Sequence, residues 1–377
     1  MGSHLSLQRS GRPVERRSGA AARGLAVVLL AASLLASGVP AAAEEALSPV
    51  ELGETPLFER PSPLGSISYT AGRGLRVGDT GLTLGGYANL TVGRPEGGPG
   101  ELELQDVSLF AIWDPLPRLH FFSEIEWADV FEANDKGDAG SPDERLTVER
   151  LYADVTVNDL VNVRTGIFLT PVGRWNVIHA PPLHWTTEQP LVTELPFDPN
   201  TTGVMLFGSV FPERGVLRYS VWDQLADPVE GDPEFDPADH SVGARLEYTD
   251  DLGWSIGATY LAARREGDWR HLGGADLLWH LGRLELMGEL AVEDGAGDEQ
   301  WGAYLQSVFQ LTSRTYLVGR FEHYDFADPE DGRVNLITLG VAFRPLPAVV
   351  LKAEYLIADR SAPEAEAGIH ASFATLF

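Results

Sequence analysis

Residues 284–292 read LELMGELAV. Leu284, Leu286, Gly288 and Leu290 fall on one side of an extended chain, and Glu285, Met287 and Glu289 on the other. Successive side chains of a strand point to opposite faces, so this is a strand with one apolar and one charged face. The pattern recurs. Val242, Ala244, Leu246 and Tyr248 oppose Gly243, Arg245 and Glu247; Leu351, Ala353 and Tyr355 oppose Lys352 and Glu354. From Gly81 onward the alternation comes in segments of roughly ten residues, the length of a strand tilted across a bilayer.

Sixteen such strands are expected, near 81–92, 102–113, 118–129, 145–157, 160–169, 203–211, 215–223, 241–250, 253–263, 270–281, 283–293, 300–311, 315–325, 333–343, 349–359 and 367–377. Even-to-odd links are tight, such as Asn158-Asp159, Asp251-Leu252 and Gly282. Odd-to-even links are generally longer and acidic, such as 130–144 and 225–240. Short turns on one rim and longer loops on the other predict an all-β, transmembrane antiparallel β-barrel. A soluble sandwich would bury the apolar faces in a core. Aromatic placement favours the barrel: Trp113, Tyr248, Trp254, Trp279, Phe309, Phe343 and Phe377 share the apolar phase near the short-turn rim. An interfacial girdle puts them there.

The chain is acidic, with 28 Lys+Arg against 55 Asp+Glu, and it has no cysteine. The charge argues against nucleic acid as a partner. Without cysteine there is no thiol nucleophile, cysteine zinc site or CxxCH haem attachment. No GxSxG elbow occurs, and His370 and Ser372 merely share a strand face. No enzymatic activity and no cofactor is expected.

Residues 1–43 have the form of a cleavable signal peptide. Arg9, Arg12, Arg16, Arg17 and Arg23 precede an apolar run at 24–38, and Ala41-Ala42-Ala43 is a small-residue cleavage site. Beyond Glu44 no apolar run approaches the ~20 residues a helical span needs. Residues 44–80, rich in Pro and Gly, read as an irregular periplasmic leader, and 81–377 as the barrel. The expected location is the bacterial outer membrane, among its lipid and lipopolysaccharide.

After the fifth strand comes IFLTPVGRWNVIHAPPLHWTTEQPLVTELPFDPNT, residues 167–201. A loop that long inside a compact domain is usually functional or disordered, and its large apolar residues argue against disorder. It is expected to fold inward and constrict the barrel, with Arg174, His179, His184 and Glu188 at the constriction. Trp175, Trp185, Pro181 and Pro182 would fix it to the wall. His179, His184 and Glu188 lack the helical register of a zinc motif, so polar packing is the reading and no metal is expected.

The inward phase supplies expected pore-lining residues: Arg150, Asp154, Arg164, Arg218, Arg245, Glu247, Arg320, Glu322, Lys352 and Glu354. Glu124, Glu126, Glu285 and Glu289 share that phase. Cross-strand pairing that merely solvates the wall is the plainer alternative for each. The acidic excess predicts a mild cation preference. Asp325, Asp328, Glu330 and Asp331 lack EF-hand order and read as a solvated loop.

The last strand ends on Phe377, with Phe373 and Ile369 in phase, and resembles the C-terminal signature of Gram-negative outer-membrane proteins. Residues Arg164–Gly173, RTGIFLTPVG, resemble the strand-to-loop junction of the phosphate-selective porin O and P family, where an R-x-G-x-F strand runs into a P-x-G turn. The resemblance implies a trimeric porin, a water-filled channel for passive diffusion of small hydrophilic solutes or ions. It also implies that the stretch after the fifth strand is the constricting third external loop. That family is expected to line its channel with many bases. Here the loop has Arg174 alone against Glu188, Glu194 and Asp198, so phosphate selectivity is not expected to carry over. The alternative is a barrel plugged by the loop, serving surface binding or envelope anchoring.

Overall fold

The computed structural model describes residues 56–377 except 142–143, 228–236, 296, 328–331 and 361–366. Three short strands come first: β1 (Phe58–Ser62), β2 (Gly65–Thr70) and β3 (Gly74–Val77). The barrel then runs through β4 (Leu82–Pro95), β5 (Glu101–Leu116) and β6 (Leu119–Asn134). A two-residue β7 (Ala139–Gly140) pairs, among the described residues, with β6 alone. Next are β8 (Arg145–Thr156), β9 (Asn162–Leu169), β10 (Asn200–Val210), β11 (Val216–Gln224), β12 (His240–Thr249) and β13 (Trp254–Arg265). The last seven are β14 (Asp268–Leu281), β15 (Leu284–Gly295), β16 (Asp298–Gln310), β17 (Thr315–Asp325), β18 (Arg333–Leu346), β19 (Val349–Ala358) and β20 (Gly368–Leu376). Each barrel strand pairs antiparallel with the next, and β20 returns to β4 with Phe373 opposite Leu90. The result is a closed sixteen-stranded barrel in which each described barrel strand has a neighbour on both sides.

Two boundaries differ from the sequence reading. Residues 58–77 are not irregular: β1–β3 form short hairpins, and β3 pairs with β4 through Leu75–Leu84. Their Gly- and Pro-broken strands are too short to show a period-two pattern. The long connection is also shorter than 167–201. Leu169 pairs with Asn200 and Ile167 with Thr202, so β9 and β10 absorb its ends and the segment is 170–199. Residues 1–43, expected from the sequence to be a signal peptide, and Asp328, Glu330 and Asp331 lie outside the described residues.

Alternation separates two faces. Leu109, Ile125, Leu151, Leu246, Ile256, Phe321, Leu339 and Phe373 are all exposed, and the register puts them in one phase around the barrel. This is the outward face, an apolar band suited to lipid. The opposite, inward phase holds buried Glu124, Asp276, Glu285, Glu289, Arg320, Glu322, Lys352 and Glu354. The aromatic girdle follows the expected phase. Trp254 lies opposite Trp279, Tyr248 packs 5.4 Å from Trp254, and Trp113 stacks on Phe121 at 5.3 Å. The Phe377 ring lies where a side chain on Gly86 would sit: a Cβ there would come within 2.8 Å of it. A bulge between β6 and β8 leaves Glu149 as an extra residue, since Glu124 pairs with Arg150 and Ile125 with Val148. Such insertions re-aim side chains.

Candidate functional site

The segment 170–199 contains two single-turn α-helices, α1 (Trp175–Ile178) and α2 (Leu191–Glu194), and a 3-10 turn at Pro181–Leu183. A chain this irregular leaves most of its backbone N–H groups without ladder partners, and burying them unpaired is costly. Inward-phase carboxylates supply the acceptors. Glu289 of β15 accepts the N–H of Arg174 at 3.0 Å and of Trp175 at 2.8 Å. Glu354 of β19 accepts those of Thr187 at 3.1 Å and Glu188 at 3.0 Å, and Glu322 of β17 accepts that of Leu191 at 2.9 Å. The need is mutual, because a buried carboxylate is tolerated only when donors surround it.

Bases satisfy the segment's carbonyls. Arg320 donates to Glu188 O at 3.0 Å and to Thr186 Oγ1 at 2.7 Å. Lys352 Nζ donates to Thr186 O at 2.8 Å and Pro181 O at 3.2 Å. Trp185 Nε1 donates to Glu285 at 2.8 Å. Between these bonds Trp175, Leu191, Val192 and Phe197 join an apolar cluster with Trp222, Leu272, Met287, Tyr304 and Leu336. Gly173 makes the first anchor possible. Its φ is +63°, and a Cβ there would collide with Glu289 Oε2. The glycine of the P-x-G turn lets the chain reverse against a carboxylate.

The four constriction candidates separate. His184 is buried, its ring 4.3 Å from that of Trp175. Burial, together with Lys352, His179 and Arg320, holds its pKa well below the ordinary histidine value. Arg174 reaches Ser255 at 2.6 Å and lies 3.5 Å from Glu247 and 3.4 Å from Asp276. Glu188 pairs with His370 at 3.0 Å. Burial would raise its pKa, but the hydrogen bond and charge of His370, with Arg320 and Lys352, hold it below the usual carboxylate range. Thr187 meets Ser372 at 3.0 Å, so the strand face carrying Ser372 and His370 ties down the segment. His179 alone turns toward β6 and β8, with Nε2 3.7 Å from Glu149. His179, His184 and Glu188 therefore do not converge.

Two cavities flank the segment. One of about 780 Å³ is lined by Glu101, Glu103, Glu126, Glu149, Glu188, Glu194, Asp198 and Glu322, with Arg145, Arg320, His179 and His370. The other, about 480 Å³, is lined by Arg150, Arg164, Arg218, Arg245 and Glu247, with Tyr152, Phe207, Pro171 and Val177. Each of its arginines is paired. Arg150 bonds Glu124, Arg164 is bidentate to Asp154 at 2.7 and 2.8 Å, and Arg245 bonds Asp276 at 2.5 Å. Arg218 reaches Glu247 at 3.3 Å. Arg164 also stacks 3.7 Å over the Tyr152 ring.

All ten lining candidates thus occupy the inward phase. Arg320, Glu322, Lys352 and Glu354 bind the segment, whereas Arg150, Arg164, Arg218, Arg245 and Glu247 border the second cavity and Asp154 holds Arg164. Glu149 is not among the expected residues: strict alternation turns it outward, and the bulge brings it inward. Asp276 is not among them either, although its inward phase follows from the alternation of β14.

A closed sixteen-stranded barrel with an apolar exterior is the fold of the outer-membrane porins, and the solved structures that resemble it agree. The anion-selective porin from Comamonas acidovorans matches with TM-score 0.56 at 14% identity, covering 78% of this chain and 99% of that one. OmpF of Salmonella typhi, in complex with daunomycin, matches with TM-score 0.56 at 12% identity, covering 80% and 99%. OmpT, an outer membrane protein of Vibrio cholerae, matches with TM-score 0.56 at 11% identity, covering 80% and 99%. At these identities the likeness is one of fold. An uncharacterized protein of Aquifex aeolicus (strain VF5) is 22% identical over 338 residues, covering 74% of this chain and 76% of its own. No family model matches the sequence.

Proposed function

We propose that this chain is an outer-membrane porin, a passive channel for small hydrophilic solutes and ions in which segment 170–199 narrows the lumen. The observation that carries the reading is the bias of the segment's hydrogen bonds toward one half of the wall, with Arg174 near Glu247, His179 near Glu149 and the apolar cluster at Trp222 as contacts to the other half. Its polar anchors to Ser255, Glu285, Glu289, Glu322, Glu354 and Ser372 lie on strands of the β13–β20 half. Cavity space remains on both sides of it: the smaller cavity lies along β8–β12, and the larger is lined by β4–β6 and β8 together with Arg320, Glu322 and His370 of β17 and β20. A segment anchored mainly on one wall, with cavities left beside it, supports a pore that is narrowed and not closed.

The charge distribution supports a mild cation preference. Carboxylates dominate the larger cavity, whereas the arginines of the smaller one are neutralised by partners. The anion selectivity of the Comamonas porin is that protein's own property. Phosphate selectivity has no support in the loop; a trimer rests on the resemblance, and export to the outer membrane, with its lipopolysaccharide, rests on the signal-peptide form of residues 1–43 and the barrel pattern. Swelling of liposomes carrying the protein in isosmotic arabinose tests the reading: swelling is expected, and its absence with folded protein would defeat it. The apolar cluster around Trp175 and Val192 favours a second reading, a plugged barrel for surface binding or anchoring, under which liposomes stay inert.

A further inference from the structure

Where the segment approaches β6, chemistry appears that neither docking nor solute passage uses. Glu124 and Glu126 on β6 share the inward phase, and His179 faces them from the segment. A carboxylate oxygen from each glutamate and a ring nitrogen of His179 lie within 4.8 Å of one another. The two carboxylates are held in place. Ser108 Oγ lies 2.9 Å from Glu124 and 3.2 Å from Glu126 and shares its one proton between them, Tyr87 donates its hydroxyl to Glu126 at 2.6 Å, and Arg150 bonds Glu124. Groups that orient ligands in this way are what a metal site needs around it.

A separate observation concerns charge and unpaired oxygen. Asp106 lies one inward step from Ser108 on β5, and Glu149 lies 3.7 Å from His179. Within this group Arg150 bonds Glu124. Opposite Asp106, the side chain of Asn89 is buried to 3% exposure, and its Oδ1 has no hydrogen-bond partner. Buried oxygen with excess negative charge calls for a cation.

We propose that Glu124, Glu126 and His179 bind one divalent first-row transition-metal ion, with water completing its coordination. Two carboxylate oxygens and an imidazole nitrogen suit Zn²⁺ or Mn²⁺ better than Ca²⁺ or Mg²⁺, which favour all-oxygen sites. The ion would tie the segment to β6. Glu126 and His179 line the larger cavity, and Arg150, the partner of Glu124, lines the smaller. The site does not depend on the channel reading, since binding requires no through-flow.

The test is isothermal titration of the full, detergent-folded protein with Zn²⁺, then with Ca²⁺, alongside His179→Ala, Glu126→Gln and His271→Ala. Folding of each is verified by heat-modifiable gel mobility. One Zn²⁺ per chain is expected, with weaker Ca²⁺. His179→Ala and Glu126→Gln should each weaken Zn²⁺ by at least about tenfold, the scale of losing even a supporting group. His271→Ala, on the outward face, should leave it unchanged. Glu126→Gln keeps the side chain's shape, so its loss of binding cannot be ascribed to misfolding. No Zn²⁺ uptake by folded wild type, or uptake unaltered in both variants, overturns the site. Zn²⁺ uptake by a protein that does not conduct would leave the site standing and overturn the channel instead.

Discussion

Glu289 Oε1 accepts the backbone N–H of Trp175 at 2.8 Å, across a separation of 114 residues. The same carboxylate takes the N–H of Arg174 and the hydroxyl of Tyr304, at 3.0 and 2.8 Å. One side chain thus fixes where the long segment leaves β9 and turns back on the wall. Hydrogen bonds to a charged acceptor are each worth about 1.5–3 kcal/mol, and the amide of Glu289→Gln presents an N–H₂ where an acceptor is needed. Glu289→Gln should weaken docking by about 2 kcal/mol. Hydrogen exchange at Arg174 and Trp175 would read this as faster exchange, with the strand amides unchanged.

Gly173→Ala should release the same anchor from the other side. At φ +63° a β-carbon costs about 1–2 kcal/mol, and here it also runs into Glu289 Oε2. Limited proteolysis should cut within 170–199 in this variant while the barrel resists.

Trp175→Ala removes a ring buried to 1% exposure between His184 and Tyr304. Loss of a buried tryptophan costs about 3–5 kcal/mol. Because the ring belongs to the segment, the expected effect is a mobile segment in an intact barrel. Exchange should rise across 170–199, and heat-modifiable mobility should persist.

Docking should weaken in acid. His184 has its folded pKa depressed, so below the ordinary histidine pKa of about 6.5 the released state takes up a proton that the docked state refuses. Stability of docking therefore falls as pH drops below that value. Glu188, also depressed, contributes in the same direction at lower pH, where its pairing with His370 is lost on protonation. Exchange rates of segment amides between pH 7 and 5 would show the trend, and His184→Gln should flatten its upper part. A docking strength independent of pH over that range would contradict the burial of a neutral His184.

The strands were legible because alternation is local. Leu284, Leu286 and Glu285, Glu289 show it within nine residues, and the register of β15 follows. The inward phase of Arg320, Glu322, Lys352 and Glu354 was equally readable. Their work was not. In sequence they look like residues lining water, and only the fold brings the backbone of Thr187, Glu188 and Leu191 onto them. The same blindness hid Glu149, since a bulge breaks the alternation that assigns faces. His179 seemed to belong with His184 because they are near in sequence, yet its neighbours are on β6.

The most direct measurement is single-channel conductance in a planar bilayer, comparing wild type with a variant whose residues 174–196 are replaced by a short Gly-Ser link. Leu169 and Asn200 already pair, so a short link can join β9 to β10. The expected result is discrete conductance steps for wild type and distinctly larger steps for the variant, with a reversal potential showing mild cation preference in wild type. Silent wild-type protein that conducts only after the replacement would mean a plug, and equal steps in both would mean that the segment does not narrow the pore.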